Sequence, residues 1–254
     1  MNESTRTKMP RGTRWCGTGI ALAGTGTVLV ILGLIGARTG LLPAAPAFMT
    51  FGIGSLGLLI SIFATIIGLI LSKGTGGAAS ALRVWAAFTV AVVVIAVSLA
   101  QRPESSGAAP IHDISTDVGN PPSFDAILPL RKDAPNPPDY AGSETARIQK
   151  EAYPDILTLT VAKPTDEVFA AAEKVVRDLG WEIARSDPDA GQIEATDTTY
   201  WFRFKDDVVI RLTPRGTETY VDIRSKSRVG RGDMGTNAAR IRDFLTRLSA
   251  AAND

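Results

Sequence analysis

Residues 200–240 read YWFRFKDDVVIRLTPRGTETYVDIRSKSRVGRGDMGTNAAR, and this stretch decides the fold of the second half of the chain. Val208, Ile210 and Leu212 alternate with polar residues, as do Val221 and Ile223, which is the period of half-buried strands. The intervening PRGT is turn chemistry, so the two runs form a hairpin. A four-residue loop would set Ile210 opposite Val221, Val208 opposite Ile223, and Asp207 opposite Arg224 as a cross-strand ion pair. Ser225 and Ser227 then continue the inward face, while Arg224, Lys226 and Arg228 point outward. Residues 200–204 are expected to extend the sheet ahead of this hairpin. After the glycine loop a helix begins near Thr236 and buries Ile241, Phe244, Leu245 and Leu248.

Working back from the hairpin, residues 156–162 (ILTLTVA) read as a strand. Thr165, Asp166 and Glu167 then open a helix, with acids at the positive end of its dipole. Val168, Phe169, Ala172, Val175, Val176 and Leu179 share one face of that helix, and Gly180 stops it. Residues 181–186 and 192 onward are two further strands separated by the DPDAG turn. The expected domain, 153–254, is β-α-β-β-β-β-α: an α+β unit with an antiparallel sheet and two helices packed on one face.

Ahead of it, residues 101–152 hold recurrent prolines, including Pro103, Pro110, Pro121, Pro122, Pro129, Pro135, Pro137 and Pro138. This composition favours an extended linker, and Phe124 with the nearby isoleucines makes part of it a strap against the domain. The single histidine, His112, stands next to Asp113 in this segment and reads as a surface or docking residue.

The chain has 254 residues, 45% of them hydrophobic, and the apolar surplus lies before residue 100. Runs at about 17–37, 50–71 and 84–100 are free of charge and near the ~20 residues needed to cross a bilayer. Residues 1–100 are therefore expected to be a three-helix transmembrane anchor. Ala45-Pro46-Ala47 resembles a signal-peptidase site, but the first run is too long for a signal peptide. Arg6, Lys8, Arg11 and Arg14 precede the first span, which places the N-terminus in the cytoplasm. Three spans would then put the domain on the periplasmic side of an inner membrane. Gly24, Gly26, Gly52, Gly54 and Gly57 would let the helices approach closely. No span carries an ionisable group that would mark a transport path.

A net charge of +1 gives no footprint for nucleic acid. One cysteine, Cys16, excludes an internal disulfide and a cysteine-built metal site. Residues 230–235 match G-x-G-x-x-G, yet no parallel strand follows, so a dinucleotide fold is not expected. The free N–H groups at that helix start could hold an anion beside Arg224, Arg228, Arg231 and Arg240. The plainer reading is that Asp206, Asp207 and Asp233 neutralise the arginines in a structural network. No cofactor or metal is expected.

The strings FKDDVVIRL and VDIRSKSRVGRGDMGTNAARI, with IHDISTD and Pro121-Pro122 upstream, resemble the domain-of-unknown-function family 1499 over about residues 112–248. The resemblance implies no particular activity and is compatible with a hydrophobic N-terminus. The positions matching its signature are Asp206, Asp207, Arg224, Ser225, Ser227, Arg228, Gly230, Asp233, Gly235 and Asn237. Of these, Asp206, Asp207, Arg224, Ser225, Ser227, Arg228, Asp233 and Asn237 are the candidate ligand-binding residues. The function expected is a membrane-anchored binding or interaction domain for a small anion or lipid headgroup, with the bilayer and a membrane protein as partners. The alternatives are a hydrolase built on Ser225, Ser227 and Asp233, or an accessory subunit of a membrane complex. Buried, hydrogen-bonded serines would argue against a nucleophile.

Overall fold

A computed structural model describes residues 11–71, 86, 89–90, 92–93, 96 and 108–253. The chain divides into two compact units, 1–101 with 201–203, and 102–200 with 204–254. In the first unit, α1 (Arg11–Thr39) and α2 (Ala44–Leu71) are each long and apolar enough to cross a membrane. Two spans are thus supported, against the three expected; the third run, 84–100, falls largely outside the described residues. The sequence Ala45-Pro46-Ala47 forms the first turn of α2, where a proline's missing N–H costs nothing. Of the expected small-residue contacts, Gly26 and Gly54 are at the helix crossing. A Cβ on Gly54 would stand 2.7 Å from the Gly26 carbonyl oxygen, whereas Gly24 and Gly52 meet nothing within 4 Å. Gly33 and Gly68, not singled out, approach the facing helix as closely, with a Cβ 2.7 Å from Ala47 O and from Cys16 N.

The second unit is α+β, as expected, but begins earlier than the strand at 156. In order it contains β1 (Asp113–Ser115), a 3-10 turn (Leu128–Arg131), α3 (Ser143–Ala152), β2 (Leu159–Val161), α4 (Thr165–Asp178), β3 (Glu182–Asp187), β4 (Gln192–Thr198), β5 (Lys205–Arg215), β6 (Glu218–Ser227) and α5 (Thr236–Asn253). From β2 onward the order is the β-α-β-β-β-β-α read from the sequence. Strand β1, the 3-10 turn and α3 come from the proline-rich segment, which is structured and not merely a linker. The sheet is antiparallel in the order β1-β6-β5-β4-β3, and β2 pairs the same edge of β6 as β1 does.

Helices α4 and α5 cover one face. Val168, Phe169, Val175 and Val176 of α4 and Ile241, Phe244 and Leu248 of α5 join Ile193, Val208, Ile210, Val221 and Ile223 in a single core. Trp181 stacks on Phe244 with centroids 5.9 Å apart. The other face is roofed by residues 116–141, a strap whose Phe124 and Ile127 pack on Val209.

The β5–β6 register differs from the expected one. Arg215 pairs Glu218, so the turn is the two residues Gly216 and Thr217, not four. Gly216 has φ 64°, the positive value a tight hairpin turn needs at its first central position. Shortening the loop by two residues moves every pair: Ile210 opposes Ile223, Val208 opposes Ser225, and Asp207 opposes Lys226 and not Arg224. Because the slip is even, each side chain keeps its expected face. Residues 200–204 do not extend the sheet. They form a turn between Thr198, opposite Lys205, and β5, closed by Thr199 N–H to Phe204 O (2.8 Å) and Phe204 N–H to Thr199 Oγ1 (2.9 Å).

Candidate functional site

The signature residues alternate along β5 and β6, so the sheet sorts them into two polar layers, one on each face. On the helix side, Ser225 Oγ donates to Asn237 Oδ1 at 2.6 Å, and Asn237 Nδ2 donates to Ser227 Oγ at 3.0 Å and to the His112 carbonyl at 3.2 Å. Arg240 donates to Ser225 Oγ (3.0 Å) and Asn237 Oδ1 (2.6 Å), and pairs Asp206 and Asp197 (both 2.7 Å). Ser225 is 0% exposed. Neither serine has a general base: their partners are an amide and a guanidinium, and their burial removes them from any substrate. The hydrolase arrangement is therefore not assembled.

Asp233 takes a different place from the one expected. Among the described residues it pairs no arginine; it accepts the backbone N–H groups of Gly235 (2.9 Å) and Asn237 (2.8 Å), at the start of α5. The chain's own carboxylate thus fills the anion position that the helix start offered. Burial pushes the Asp233 carboxyl above its ordinary value, against these two N–H bonds that favour the charged form. A folded-state value above the unfolded one means the native state binds the proton more tightly. This group's contribution therefore declines as pH rises from the unfolded value through the folded one. Asn at this position does not titrate and retains a capping oxygen. Asp233→Asn should gain stability relative to the native chain as pH rises above the unfolded carboxyl value of about 4 in urea titrations; an unchanged difference would show the carboxyl is not strained by burial.

On the strap side two buried carboxylates collect four cations. Asp113 accepts Arg224 Nε (2.8 Å) and Nη2 (3.0 Å), Lys226 Nζ (2.9 Å) and the Ala141 N–H (3.1 Å). Asp207 accepts Arg131 Nη1 (2.9 Å), Arg228 Nε (2.9 Å) and Nη2 (2.8 Å), and the Thr196 hydroxyl (2.8 Å). Arg224 and Lys226, expected to point outward, do leave the helix face but are 2% and 1% exposed beneath the strap. Asp113, beside the histidine read as a surface or docking residue, is 0% exposed.

Strap backbone carbonyls, two of them from prolines, supply further acceptors for these cations. Prolines supply carbonyl acceptors without N–H donors, and each guanidinium brings five donors. Arg224 donates to the carbonyls of Pro122 (3.1 Å) and Pro138 (2.8 Å), Arg131 to Asn136 (3.0 Å), Lys226 to Asp139 (2.5 Å) and Arg228 to Leu130 (2.7 Å). The Arg224 guanidinium also lies 4.9 Å from the Phe124 ring centroid and 5.4 Å from that of Tyr140. Beside this buckle, Glu194 accepts the N–H groups of Asp125, Ala126 and Ile127 at 3.0–3.1 Å, holding the start of the 3-10 turn. Burial lowers Lys226, against the pull of Asp113. Burial and the Asp113 charge raise the Tyr140 phenol to about 12.

Of the candidate residues, the structure brings Asp206, Ser225, Ser227 and Asn237 together on one face and Asp207, Arg224 and Arg228 on the other. Asp113, noted in the sequence only as the neighbour of His112, and Arg131, Asp197 and Glu194 were not among the candidate site residues. The signal that could have pointed to the first two is charge balance, since one strand face carrying Arg224, Lys226 and Arg228 has only Asp207 from β5. Asp206 and Asp207 are on opposite faces, and among the described residues no group of three His, Cys, Asp or Glu could hold a metal.

The fold and its two layers define a class: an α+β sheet unit with a charge-buckled strap, in a chain that also carries apolar helices of membrane-spanning length. A family model described as "Protein of unknown function (DUF1499)" matches residues 113–248. The chain belongs to that family. No curated protein gives a significant match.

Proposed function

We propose that the chain is a membrane-anchored binding module without catalytic activity, and that its strap-side cluster receives a small anion, either free phosphate or a lipid headgroup. The observation supporting this is an unspent donor in a cation-rich, buried setting. Arg131, Arg224, Lys226 and Arg228 surround two carboxylates, Asp113 and Asp207, an excess of two positive charges (four less two). Arg131 is 4% exposed, and its Nε, like the Tyr140 hydroxyl, is buried without a hydrogen-bond partner. Buried donors are rarely left unpaired, and an anion admitted when the strap lifts would satisfy both. On this reading Asp206, Ser225, Ser227, Asp233 and Asn237 hold the loop and α5 against the sheet, and Arg224 and Arg228 belong to the ligand site.

The full chain in mild detergent should show a melting temperature that rises with inorganic phosphate, or retain phosphatidylglycerol in native mass spectra. Arg131→Met should abolish the effect, and Arg131→Lys, which keeps the charge, should retain part of it. A wild-type chain that neither responds to phosphate nor carries lipid would refute the site. Phosphate alone identifies a soluble anion, and lipid alone a headgroup.

The proposed side of the inner membrane is the periplasmic one. It is supported by the basic residues ahead of the first apolar run and depends on residues 84–100 crossing as a third span. With two spans the N-terminus and the domain would share a side. A Cys16→Ala, Thr217→Cys chain should react in intact cells with a membrane-impermeant maleimide; labelling only after lysis would place the domain in the cytoplasm.

A further inference from the structure

Strand β3 forms one edge of the sheet, and β1 and β2 lie end to end along the other. An edge strand presents backbone N–H and C=O groups that pair with any further strand unless something blunts them. Strand β3 is blunted by Glu182, Arg185 and Asp187 and by a register shift between Ile183 and Arg185. Strand β1 is blunted by the buried Gln149 of α3. Ser115 N–H donates to Gln149 Oε1 at 3.0 Å, and Gln149 Nε2 donates to Ser115 O at 2.6 Å. Strand β2 has neither device. Residues 156–162 read ILTLTVA, without a charge, a proline or a glycine, and Thr160 and Ala162 are exposed.

The ladder fixes which β2 groups face outward. Arg215 and Glu218 close the hairpin, so along β6 the even-numbered residues bond β5 and the odd-numbered ones bond β1 and β2. The bonds from Ser227 N–H to His112 O and from Thr116 N–H to Ile223 O follow this alternation. Val221 and Thr219 therefore serve Leu159 and Val161, and the Thr160 N–H and C=O point away from the sheet. Thr158 and Ala162 continue the alternation on either side of it.

A two-fold axis through Thr160 makes this edge complementary to itself. Thr160 then pairs Thr160 of a second copy, and Thr158 pairs Ala162, so the outward backbone groups of all three are matched. On the core face Leu159 meets Val161 of the second copy, and Leu157, 65% exposed, meets the aliphatic stem of Lys163. Lys163 is the only charge between 156 and 164, so no like charges oppose one another across the axis. Past Lys163, the second copy's chain heads for a cleft of about 290 Å³ lined by Tyr153, Pro154, Ile156 and Leu157, with the exposed Lys150 at its rim. Asp166 and Glu167, exposed in the first turn of α4, arrive there with charge opposite to that of Lys150. We propose that the sheet unit forms a symmetric dimer with a second copy of this chain, by antiparallel pairing of β2 with β2 about Thr160. The pairing does not depend on the strap-side cluster binding any anion.

The test follows self-association of the full chain in mild detergent by sedimentation velocity. Thr160→Lys sets two like charges face to face and should weaken the dimer at least about tenfold, as should Thr160→Glu. Because the Thr160 backbone groups face away from β6, both variants should keep the native circular dichroism. Mixing the two variants should restore association, since opposite charges then meet across the axis. In a Cys16→Ala background, Thr160→Cys should oxidise to a linked dimer, its Cα atoms being ~5.5 Å apart, and Thr217→Cys on the hairpin turn should not. A native chain that stays monomeric at tens of micromolar would overturn the proposal. A dimer indifferent to Thr160→Lys would overturn it too, placing the contact elsewhere in the chain. So would weakening by both charges without rescue in the mixture, because residue 160 would then not face itself.

Discussion

Asp207→Ala is expected to destabilise the sheet unit by ~3–5 kcal/mol, the cost of leaving buried cations without their counter-ion. Asp207 is 0% exposed and is the carboxylate that both Arg131 and Arg228 meet, at 2.8–2.9 Å. Its removal also strips the acceptor from the Thr196 hydroxyl. Against a typical domain stability of ~5–15 kcal/mol, such a loss brings the unit close to unfolding. A urea titration of the full chain in mild detergent reads it as a shifted midpoint at unchanged slope. A shift under about 1 kcal/mol, the range of surface ion pairs, would mean that water reaches the buckle and that burial is not what makes it strong.

The second large effect is expected at Asp113, where Arg224 and Lys226 converge from alternate positions of β6 that share one face. Asp113→Ala should again cost ~3–5 kcal/mol, and here the strap should open, since the Ala141 N–H loses its acceptor at the strap's end. The informative partner is the charge-free triple variant Asp113→Leu, Arg224→Met, Lys226→Met. Replacing a buried ionic group wholesale by apolar side chains of similar volume is often neutral, so this variant should regain much of the lost stability. The strap carbonyls of Pro122, Pro138 and Asp139 would still lose their donors, and limited proteolysis between residues 130 and 142 should report that loosening in both variants. If the triple variant were as unstable as Asp113→Ala alone, the stabilisation would reside in the strap contacts and not in charge neutralisation.

These expectations assign different work to the two polar layers. The helix-side layer around Asn237 ties the end of β6 to α5 through a carboxamide that both donates and accepts, so Ser225, Ser227 and Arg240 are satisfied in one cluster. The strap-side layer instead joins segments about a hundred residues apart, such as Arg224 with Pro122 and Arg228 with Leu130. Such contacts are of high sequence separation, and closing the chain around them carries the loop entropy that the buried charges must offset.

What the sequence alone determined is whatever has a local period or a local cost. The 3.6-residue spacing in residues 168–176 marks α4, the alternation in 208–212 and 221–223 marks β5 and β6, and the absence of charge in the first two runs marks α1 and α2. Even the division of Ser225 and Ser227 from Arg224, Lys226 and Arg228 follows from the two-residue period of a strand. Tertiary structure decided the rest. Whether the outward face of β6 meets water or a roof depends on a proline-rich segment with no periodicity to betray its path. The counter-ions of Arg224, Arg228 and Lys226 come from that segment and from β5, in a register set by one glycine turn. Asp233 looked like a counter-ion and became a helix cap, because two nearby backbone N–H groups outcompete distant arginines for it. A side chain's face is fixed by the backbone it belongs to, whereas its exposure and its partner are fixed by whatever else the chain brings to that face.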